Sequence, residues 1–198
     1  MIKIGLTGSI ATGKSTVLSI FKKNFNLPVF SSDECVKELY ESEDKLINFV
    51  KQKILKSNKD VFSNKDIANI IFYNDEKRIQ LEEFIHPLVK VKRDKYIEAQ
   101  KQKNTKYVVL EIPLLFEKDI QKELDVTLLV RTSLGLQRER ALGREGMTKK
   151  LFENILNKQM PNDIKEKKAD YIIDNYDYQK TVNQVHDILN QIQKRKYA

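Results

Sequence analysis

A glycine-rich loop directly behind a short apolar segment constrains the fold of this chain more than any other feature. Residues 2–7 (IKIGLT) predict a buried strand, and the next segment, GSIATGKST over 8–16, has the spacing of a phosphate-binding loop. Glycines let main-chain N–H groups turn toward a phosphate, and the helix that follows adds its positive N-terminal end. The motif predicts a nucleoside triphosphate as ligand; the alternative is a glycine turn beside a surface lysine.

The residue types of this loop indicate separate tasks. The Lys14 ammonium is expected to reach the β- and γ-phosphates, and the Ser15 hydroxyl is expected to ligate Mg²⁺. The residues of the loop predicted to bind ATP are Gly8, Ser9, Ile10, Ala11, Thr12, Gly13, Lys14, Ser15 and Thr16.

Short β-branched runs separated by helical patterns predict an α/β fold with a parallel sheet. Helices are predicted over 14–25 and from about 180 to 195, each with apolar side chains along one stripe. The further predicted strands are PVFSS (28–32), YVVLEI (107–112), VTLLVR (126–131) and DYIID (170–174).

The predicted strands are unevenly spaced, and the long gaps indicate insertions. The gap between the second and third strands is far longer than a crossover needs, and its pattern is helical throughout. Within it, Ser63 followed by Asp66 indicates a helix cap, and Pro87 suits a first helical turn. We therefore predict a single chain with a core over about 1–32, 106–133 and 166–198, a helical insertion over about 33–105, and a lid over about 134–165.

Composition bounds the class of protein. The 198 residues suit one domain with or without an insertion, and a mean hydropathy of −0.52 argues against a membrane span. The single cysteine, Cys35, fits a reducing compartment, and the N-terminus has no signal-peptide pattern, so we expect a cytoplasmic protein. The formal charge of +8 predicts an anionic partner, either nucleic acid or a small phosphorylated molecule.

Two carboxylates at strand ends are candidates for acting on the molecule that receives the phosphoryl group, because ligands of open α/β sheets bind at the carboxyl edge. Asp33 follows the second strand and could accept the proton of an attacking hydroxyl; equally, it could cap the helix that starts there. Glu111, at the end of the third strand, could orient Mg²⁺ through water or could be an ordinary strand-end charge.

Two arginines of the segment QRERALGREG (137–146) are candidates for stabilising a transferring phosphate. Arg140 and Arg144 are four residues apart, which predicts that they share one helix face. On a mobile segment, their guanidinium groups could close over the triphosphate. The alternative is an exposed helix with arginine–glutamate pairs.

The chain also resembles the dephospho-CoA kinase family through an ordered set of motifs. Besides the loop, these are PVFSSDECVKELY near the second strand, FIHPLV (84–89), EIPLLFE (111–117), QRERALGREGMT with NKQMP (157–161), and ADYIIDN (169–175). They run through the chain from end to end. The His-Pro and Pro-Leu-Leu-Phe-Glu elements are more specific than a phosphate-binding loop.

This resemblance implies phosphorylation of the ribose 3′-hydroxyl of dephospho-CoA by ATP with Mg²⁺, and no tightly bound organic cofactor. It implies a nucleoside-monophosphate-kinase-like P-loop fold: a five-stranded parallel sheet flanked by helices, a helical substrate domain and a lid. It assigns catalysis to Lys14, Asp33 and Arg140, and ATP binding also to Arg144 and Asn175. The residues it implies for substrate binding are Asp33, Lys37, Lys65, His86, Pro113 and Leu114.

Some positions depart from the family pattern. Ser31 stands in place of an aspartate, Glu111 replaces a shorter aspartate, and Lys37 and Lys65 stand where arginines are expected. Lysine cannot grip a phosphate with two parallel hydrogen bonds as arginine does. His86 could contact substrate or could cap a helix within the fold.

Three classes of function are candidates for a chain with this sequence. A dephospho-CoA kinase accounts for all the motifs, whereas a nucleoside or nucleoside-monophosphate kinase leaves FIHPLV and EIPLLFE unexplained. A nucleic-acid-binding protein would use the positive charge but should interleave basic and aromatic residues, which this sequence does not do. The expected partners are ATP and dephospho-CoA, with no nucleic acid and no membrane, in a monomer or weak homo-oligomer.

Overall fold

The strands predicted from the sequence form one sheet. The computed structural model describes residues 1–56 and 62–196, with only the main chain of residues 64, 65, 69 and 196. Within these ranges a five-stranded sheet has the order β2-β3-β1-β4-β5, and β1 pairs in parallel with β3 and β4, as β4 does with β5. The strands are β1 (Ile2–Thr7), β2 (Val29–Ser31), β3 (Tyr107–Glu111), β4 (Val126–Arg131) and β5 (Tyr171–Asp174). The predicted α/β fold is confirmed.

The core lies where the central strands meet two helices, α1 (Lys14–Asn24) and α9 (Tyr178–Lys196). The apolar stripes predicted from the sequence face this core, and Phe21 of α1 and Val185 of α9 are completely buried. Because β1 has a neighbour on each side, the loop that follows it begins in the middle of the sheet edge.

A second compact unit covers 31–99, and the first comprises 1–30 and 100–198. The residues of the second unit that the structure describes are mainly helical, as the sequence predicts, and the stacked rings of Phe49 and Phe84 lie among them with centroids 4.3 Å apart. Its elements are α2 (Ser32–Ser42), α3 (Asp44–Phe49), a π-helical segment (Val50–Leu55), α4 (Asn64–Tyr73) and most of α5 (Asp75–Gln102).

The capping signal before α4 is confirmed, whereas the prediction for Pro87 is wrong. Ser63 and Asp66 form a reciprocal capping box at the start of α4. Pro87 does not begin a helix but lies inside α5, where it removes one main-chain hydrogen bond. The helix continues because its apolar face is packed on the N-terminal side, through Leu81 and Ile85, and Arg93 is buried beyond the proline.

The segment between β4 and β5 carries three short helices, α6 (Leu134–Leu142), α7 (Lys149–Lys158) and α8 (Asn162–Lys168). We call this segment, 134–168, the α6–α8 segment. In the part of the chain that the structure describes, every helix is too short or too polar to cross a membrane.

Candidate active site

The loop between β1 and α1 is compact, and two of its glycines are sterically required. A Cβ on Gly8 would lie 2.5 Å from the carbonyl oxygen of Val130, and a Cβ on Gly13 would strike the amide of Asn175. Gly13 also has φ of 93°, in the left-handed region that glycine adopts without strain. Ala11 adopts the same region with φ of 58°, which costs an alanine roughly 1–2 kcal/mol. Contacts from outside the loop must therefore support this conformation.

The charged group of the loop is turned inward onto the loop itself. Lys14 Nζ donates to the carbonyl oxygens of Gly8 at 3.0 Å and Ser9 at 3.3 Å. Ser15 and Thr16 are exposed at the start of α1, where free N–H groups and the positive end of the helix dipole favour an anion.

Two side chains converge on the carbonyl oxygen of Thr12. Asn175 Nδ2 donates to it at 2.9 Å, and Arg140 Nη1 lies at 3.4 Å from it. Asn175, directly after β5, is 4% exposed, and its Oδ1 accepts a hydrogen bond from Thr181. The structure thus brings Arg140 and Asn175, both predicted from the sequence, to the loop.

The prediction that Arg144 shares a helix face with Arg140 is wrong. Helix α6 ends at Leu142 with Gly143 as its C-cap, so Arg144 lies beyond the helix and is exposed. The N–H of Arg144 bonds to the carbonyl of Ala141, three residues back, as in a tightened final turn. Glycine disfavours continuing the helix by about 1 kcal/mol relative to alanine, which explains the early end.

Two glutamines that the sequence reasoning left without a role bind the main chain of Ile10. Gln137 of α6 donates Nε2 to the Ile10 carbonyl oxygen at 2.6 Å, and Gln159, the C-cap of α7, accepts from the Ile10 N–H at 2.9 Å. Asn162 Oδ1 accepts from the Ser9 hydroxyl at 2.6 Å. All three lie in the α6–α8 segment. These contacts join residues far apart in the chain, so no local pattern in the sequence points to them.

A carboxylate and two apolar residues line the neighbouring end of β3. Glu111 is 3% exposed at the last position of the strand, beside Leu6 of β1. The segment that follows is tied to β1, because Thr7 Oγ1 donates to the Pro113 carbonyl at 3.2 Å. Pro113 and Leu114 are half-buried.

An ion pair anchors the connection between α7 and α8. Lys165 is fully buried, and its Nζ lies 2.8 Å from Glu117 Oε1, in a close ion pair rather than a well-aligned hydrogen bond. The same Glu117 oxygen accepts from the Met160 N–H at 3.0 Å. Nearby, Arg131 contacts Glu166 at 2.9 Å and Asp174 at 2.6 Å, and these carboxylates raise the pKa of its guanidinium.

In the helical unit, the structure decides between the two interpretations of the start of α2. Ser31, not Asp33, is the N-cap: its Oγ accepts from the N–H of Glu34. Asp33 lies in the exposed first turn, where a negative charge is favoured by the helix dipole. The capping interpretation of Asp33 is therefore wrong, because Ser31, the last residue of β2, already fills that role.

The other predicted substrate residues lie on helices of this unit. Lys37 is exposed on α2, and His86 is exposed within α5. Because α5 begins well before His86, the interpretation of this histidine as a helix cap is wrong. The side chain of Lys65 lies outside the described residues.

Two titratable groups of α2 are perturbed by burial. Desolvation raises the pKa of the Cys35 thiol, with Glu38 adding to the effect, and Cys35 is buried as expected for a small core residue. Desolvation also raises the pKa of Tyr40 to about 12. A thiol with a raised pKa is a poor nucleophile, which agrees with a packing role for Cys35.

A strand, a glycine-rich loop and a helix at the centre of a parallel sheet, with an arginine reaching the loop from a helical segment, define a P-loop kinase. Solved structures agree: a protein from Thermus thermophilus called TT1252 aligns with a TM-score of 0.79 at 27% identity, covering 96% of each chain. A dephospho-CoA kinase from Campylobacter jejuni aligns with a TM-score of 0.65 at 28% identity, covering 98% of each chain. Shikimate kinase from Bacteroides thetaiotaomicron, at 14% identity and a TM-score of 0.53 over 96% of this chain and 98% of its own, shares the fold.

Comparison with related sequences identifies the family within this class of kinases. A family model described as dephospho-CoA kinase matches residues 2–180. The dephospho-CoA kinase of Bartonella quintana is 40% identical over 96% of this chain and 98% of its own length, and that of Bacillus cereus is 33% identical over 88% of each. The chain belongs to the dephospho-CoA kinase family.

Proposed function

We propose that this chain transfers the γ-phosphoryl group of ATP to the ribose 3′-hydroxyl of dephospho-CoA, giving CoA and ADP. The observation that carries the proposal is a complete phosphate-binding loop, supported from outside by Arg140 and Asn175, in a chain whose family match runs from residue 2 to 180. The alternative of a nucleoside or nucleoside-monophosphate kinase has no observation in its favour.

On the donor side, the loop holds the triphosphate. Lys14 exchanges the carbonyls of Gly8 and Ser9 for the β- and γ-phosphates, which costs little because both sets of partners accept from the same ammonium. Arg140 stabilises the charge that spreads over the transferring phosphoryl group. Arg144, exposed beyond α6, contacts ATP when the α6–α8 segment closes, and Asn175 shapes the loop from beneath.

The oxygen donors at the loop fit a magnesium ion. The Ser15 hydroxyl is exposed at the start of α1, and the Glu111 carboxylate stands at the end of the adjoining strand β3. Hydroxyl and carboxylate oxygens are the ligands that Mg²⁺ prefers, with waters and phosphate oxygens completing its shell. We propose that Ser15 would hold the ion directly and Glu111 would hold it through water, and that a bound ion would neutralise phosphate charge.

On the acceptor side, Asp33 accepts the proton of the 3′-hydroxyl as that oxygen attacks the γ-phosphorus. Its exposure leaves the carboxylate available to substrate, because Ser31 supplies the helix cap in its place. The other residues proposed to bind dephospho-CoA are Lys37, Lys65, His86, Pro113 and Leu114. We expect the helical unit to be the acceptor-binding domain and the α6–α8 segment to be the lid, in a cytoplasmic monomer or weak homo-oligomer.

The decisive test is acceptor choice. Purified protein with ATP and Mg²⁺ is offered dephospho-CoA, AMP, CMP or adenosine, ADP release is followed by a coupled assay, and products are identified by mass spectrometry. We expect CoA from dephospho-CoA, loss of turnover when EDTA removes Mg²⁺, and little ADP with the other acceptors. Lys14→Met is the inactive control. Rapid phosphorylation of AMP or CMP with no CoA formed would overturn the proposal.

A further inference from the structure

The main chain of Ile10 is bound on both sides by side chains from the α6–α8 segment. Gln137 donates to its carbonyl oxygen at 2.6 Å, and Gln159 accepts from its N–H at 2.9 Å. One contact requires an amide NH₂ group and the other requires an amide oxygen, so the loop fixes the orientation of each glutamine. Each of the two peptide groups that flank Ile10 is thereby held by a glutamine that is distant in the sequence: Gln137 is 127 positions away, and Gln159 is 149 positions away.

The position of these contacts matters because the next residue is strained. The carbonyl that Gln137 binds belongs to the peptide joining Ile10 to Ala11, and Ala11 has φ of 58°. An alanine does not favour this conformation, so a loop released from its partners would relax. Gln137 is 1% exposed, and Ala141, one turn further along α6, lies in the same buried apolar cluster as Ala11. The helix thus supports both the polar and the apolar side of the turn.

The connection between α7 and α8, which includes Gln159, is itself held in place by other contacts. Glu117, after β3, accepts from the N–H of Met160 and pairs with the buried ammonium of Lys165. Asn162, between those two points, contacts Ser9. The connection from α7 to α8 is therefore held by Glu117 at Met160 and Lys165, and by the loop at Asn162 between them.

We propose that Gln137 and Gln159 are positioning residues that hold the Ser9–Ala11 turn in the conformation that binds ATP. They act on nucleotide binding through the loop rather than by touching the reacting atoms. The inference rests on the ATP site of the proposed function, but it does not depend on which acceptor is used.

The same substitution at the two sites provides a matched test. Gln137→Glu removes the donor and sets a carboxylate against the Ile10 carbonyl oxygen, whereas Gln159→Glu keeps an oxygen that can accept from the Ile10 N–H. Both variants add one negative charge near the triphosphate. We therefore expect Gln137→Glu to bind ATP about tenfold more weakly than Gln159→Glu, the scale set by a buried polar group that loses its partner. Titration calorimetry at pH 8 measures the affinities, and Gln193→Glu on the exposed side of α9 is the control.

The pH dependence separates positioning from a general loss of structure. A protonated carboxyl group has an O–H donor, so acidification toward pH 5.5 should restore the hydrogen bond in Gln137→Glu. Its ATP affinity relative to wild type at the same pH should rise, and its difference from Gln159→Glu should shrink. A variant that is only misfolded would not regain affinity on acidification.

Equal losses of ATP affinity in the two glutamate variants, or a difference that does not change with pH, would overturn the inference. If Gln137→Glu does not fold, Gln137→Met removes the donor without adding charge; it should bind ATP several-fold more weakly at a near-normal Tm, and wild-type affinity would overturn the inference. Wild-type protein that binds ATP but leaves dephospho-CoA unchanged would contradict only the proposed acceptor. Wild-type protein that does not bind ATP would contradict both.

Discussion

Asn175 donates its side-chain Nδ2 to the carbonyl oxygen of Thr12 at 2.9 Å, which joins the end of β5 to the phosphate-binding loop across 163 positions of sequence. Its Oδ1 accepts from Thr181, so both halves of this buried amide are committed. The side chain therefore shapes the loop from within the protein.

Replacing this donor should loosen the loop. Asn175→Asp removes the NH₂ group and places a carboxylate against the Thr12 carbonyl, at a cost of about 1–3 kcal/mol. We expect Tm to fall by roughly 2–10 °C and ATP to bind more weakly, as measured by thermal unfolding with and without ATP. The control is Asn183→Asp on α9, where the exposed side chain uses its oxygen as an acceptor for Gln179. Equal Tm values for the two variants would contradict this prediction.

Arg140 should matter more for turnover than for ATP binding. The charge it meets grows in the transition state, so Arg140→Ala should lower kcat by up to a few powers of ten with a smaller change in ATP KM. Arg138→Ala, an exposed site two residues away on α6, is the matched control and should be nearly silent. A change confined to the ATP KM would make Arg140 a ground-state anchor instead. Steady-state kinetics decides between them.

Substitutions at Asp33 and Ser31 should affect different properties, turnover in the first case and stability in the second. Asp33→Asn removes the proton acceptor but leaves the cap intact, so kcat should fall roughly 10²–10⁴-fold with little change in Tm. Near-normal kcat in Asp33→Asn, or a loss of activity that only follows unfolding, would argue against Asp33 as the base.

At Ser31, the N-cap of α2, we expect a loss of stability with little loss of turnover. Ser31→Ala removes the acceptor for the Glu34 N–H and should cost about 1 kcal/mol, or roughly 2–4 °C in Tm, with a mild effect on kcat. Ser31→Asp, which supplies another good capping oxygen, should recover the Tm. An unchanged Tm in Ser31→Ala would show that the cap contributes nothing.

The Glu117–Lys165 pair should behave non-additively. Glu117→Gln leaves a fully buried ammonium without its countercharge and should destabilise the protein by about 3–5 kcal/mol. Lys165→Met leaves the Glu117 carboxylate with only the Met160 N–H as a donor and should also destabilise the protein. The double variant leaves neither charge and keeps an oxygen for the Met160 N–H, so it should cost less than either single change. Urea unfolding of the four proteins gives the coupling energy, and additive costs would contradict the pairing.

Tyr40 should contribute to unfolding at alkaline pH. Burial raises its pKa to about 12, against an ordinary value of 10, so the folded state keeps a proton that the unfolded state releases. Its contribution is intact below pH 10 and is lost as the pH rises from 10 toward 12. Tyr40→Phe should remove this part of the pH dependence, so that the stability difference between variant and wild type changes across that range. A constant difference from pH 9 to 12, by urea unfolding, would contradict the prediction.

Local signals in the sequence determined most of the elements. The strand, loop and helix at the N-terminus, the apolar stripe of α9 and the capping box before α4 depend on residues within a few positions of one another, so pattern and propensity suffice. The sequence motifs also pointed to the family, which the comparisons confirmed.

Tertiary structure decided the features that join distant residues or override a local preference. Pro87 stays inside α5 because packing of the helix outweighs a lost hydrogen bond. Gln137, Gln159 and Asn175 acquire their partners only when the order of the sheet brings β1, β4 and β5 side by side. A hydrogen bond between residues more than a hundred positions apart leaves no periodic trace in the sequence, because its geometry exists only after the strands have paired.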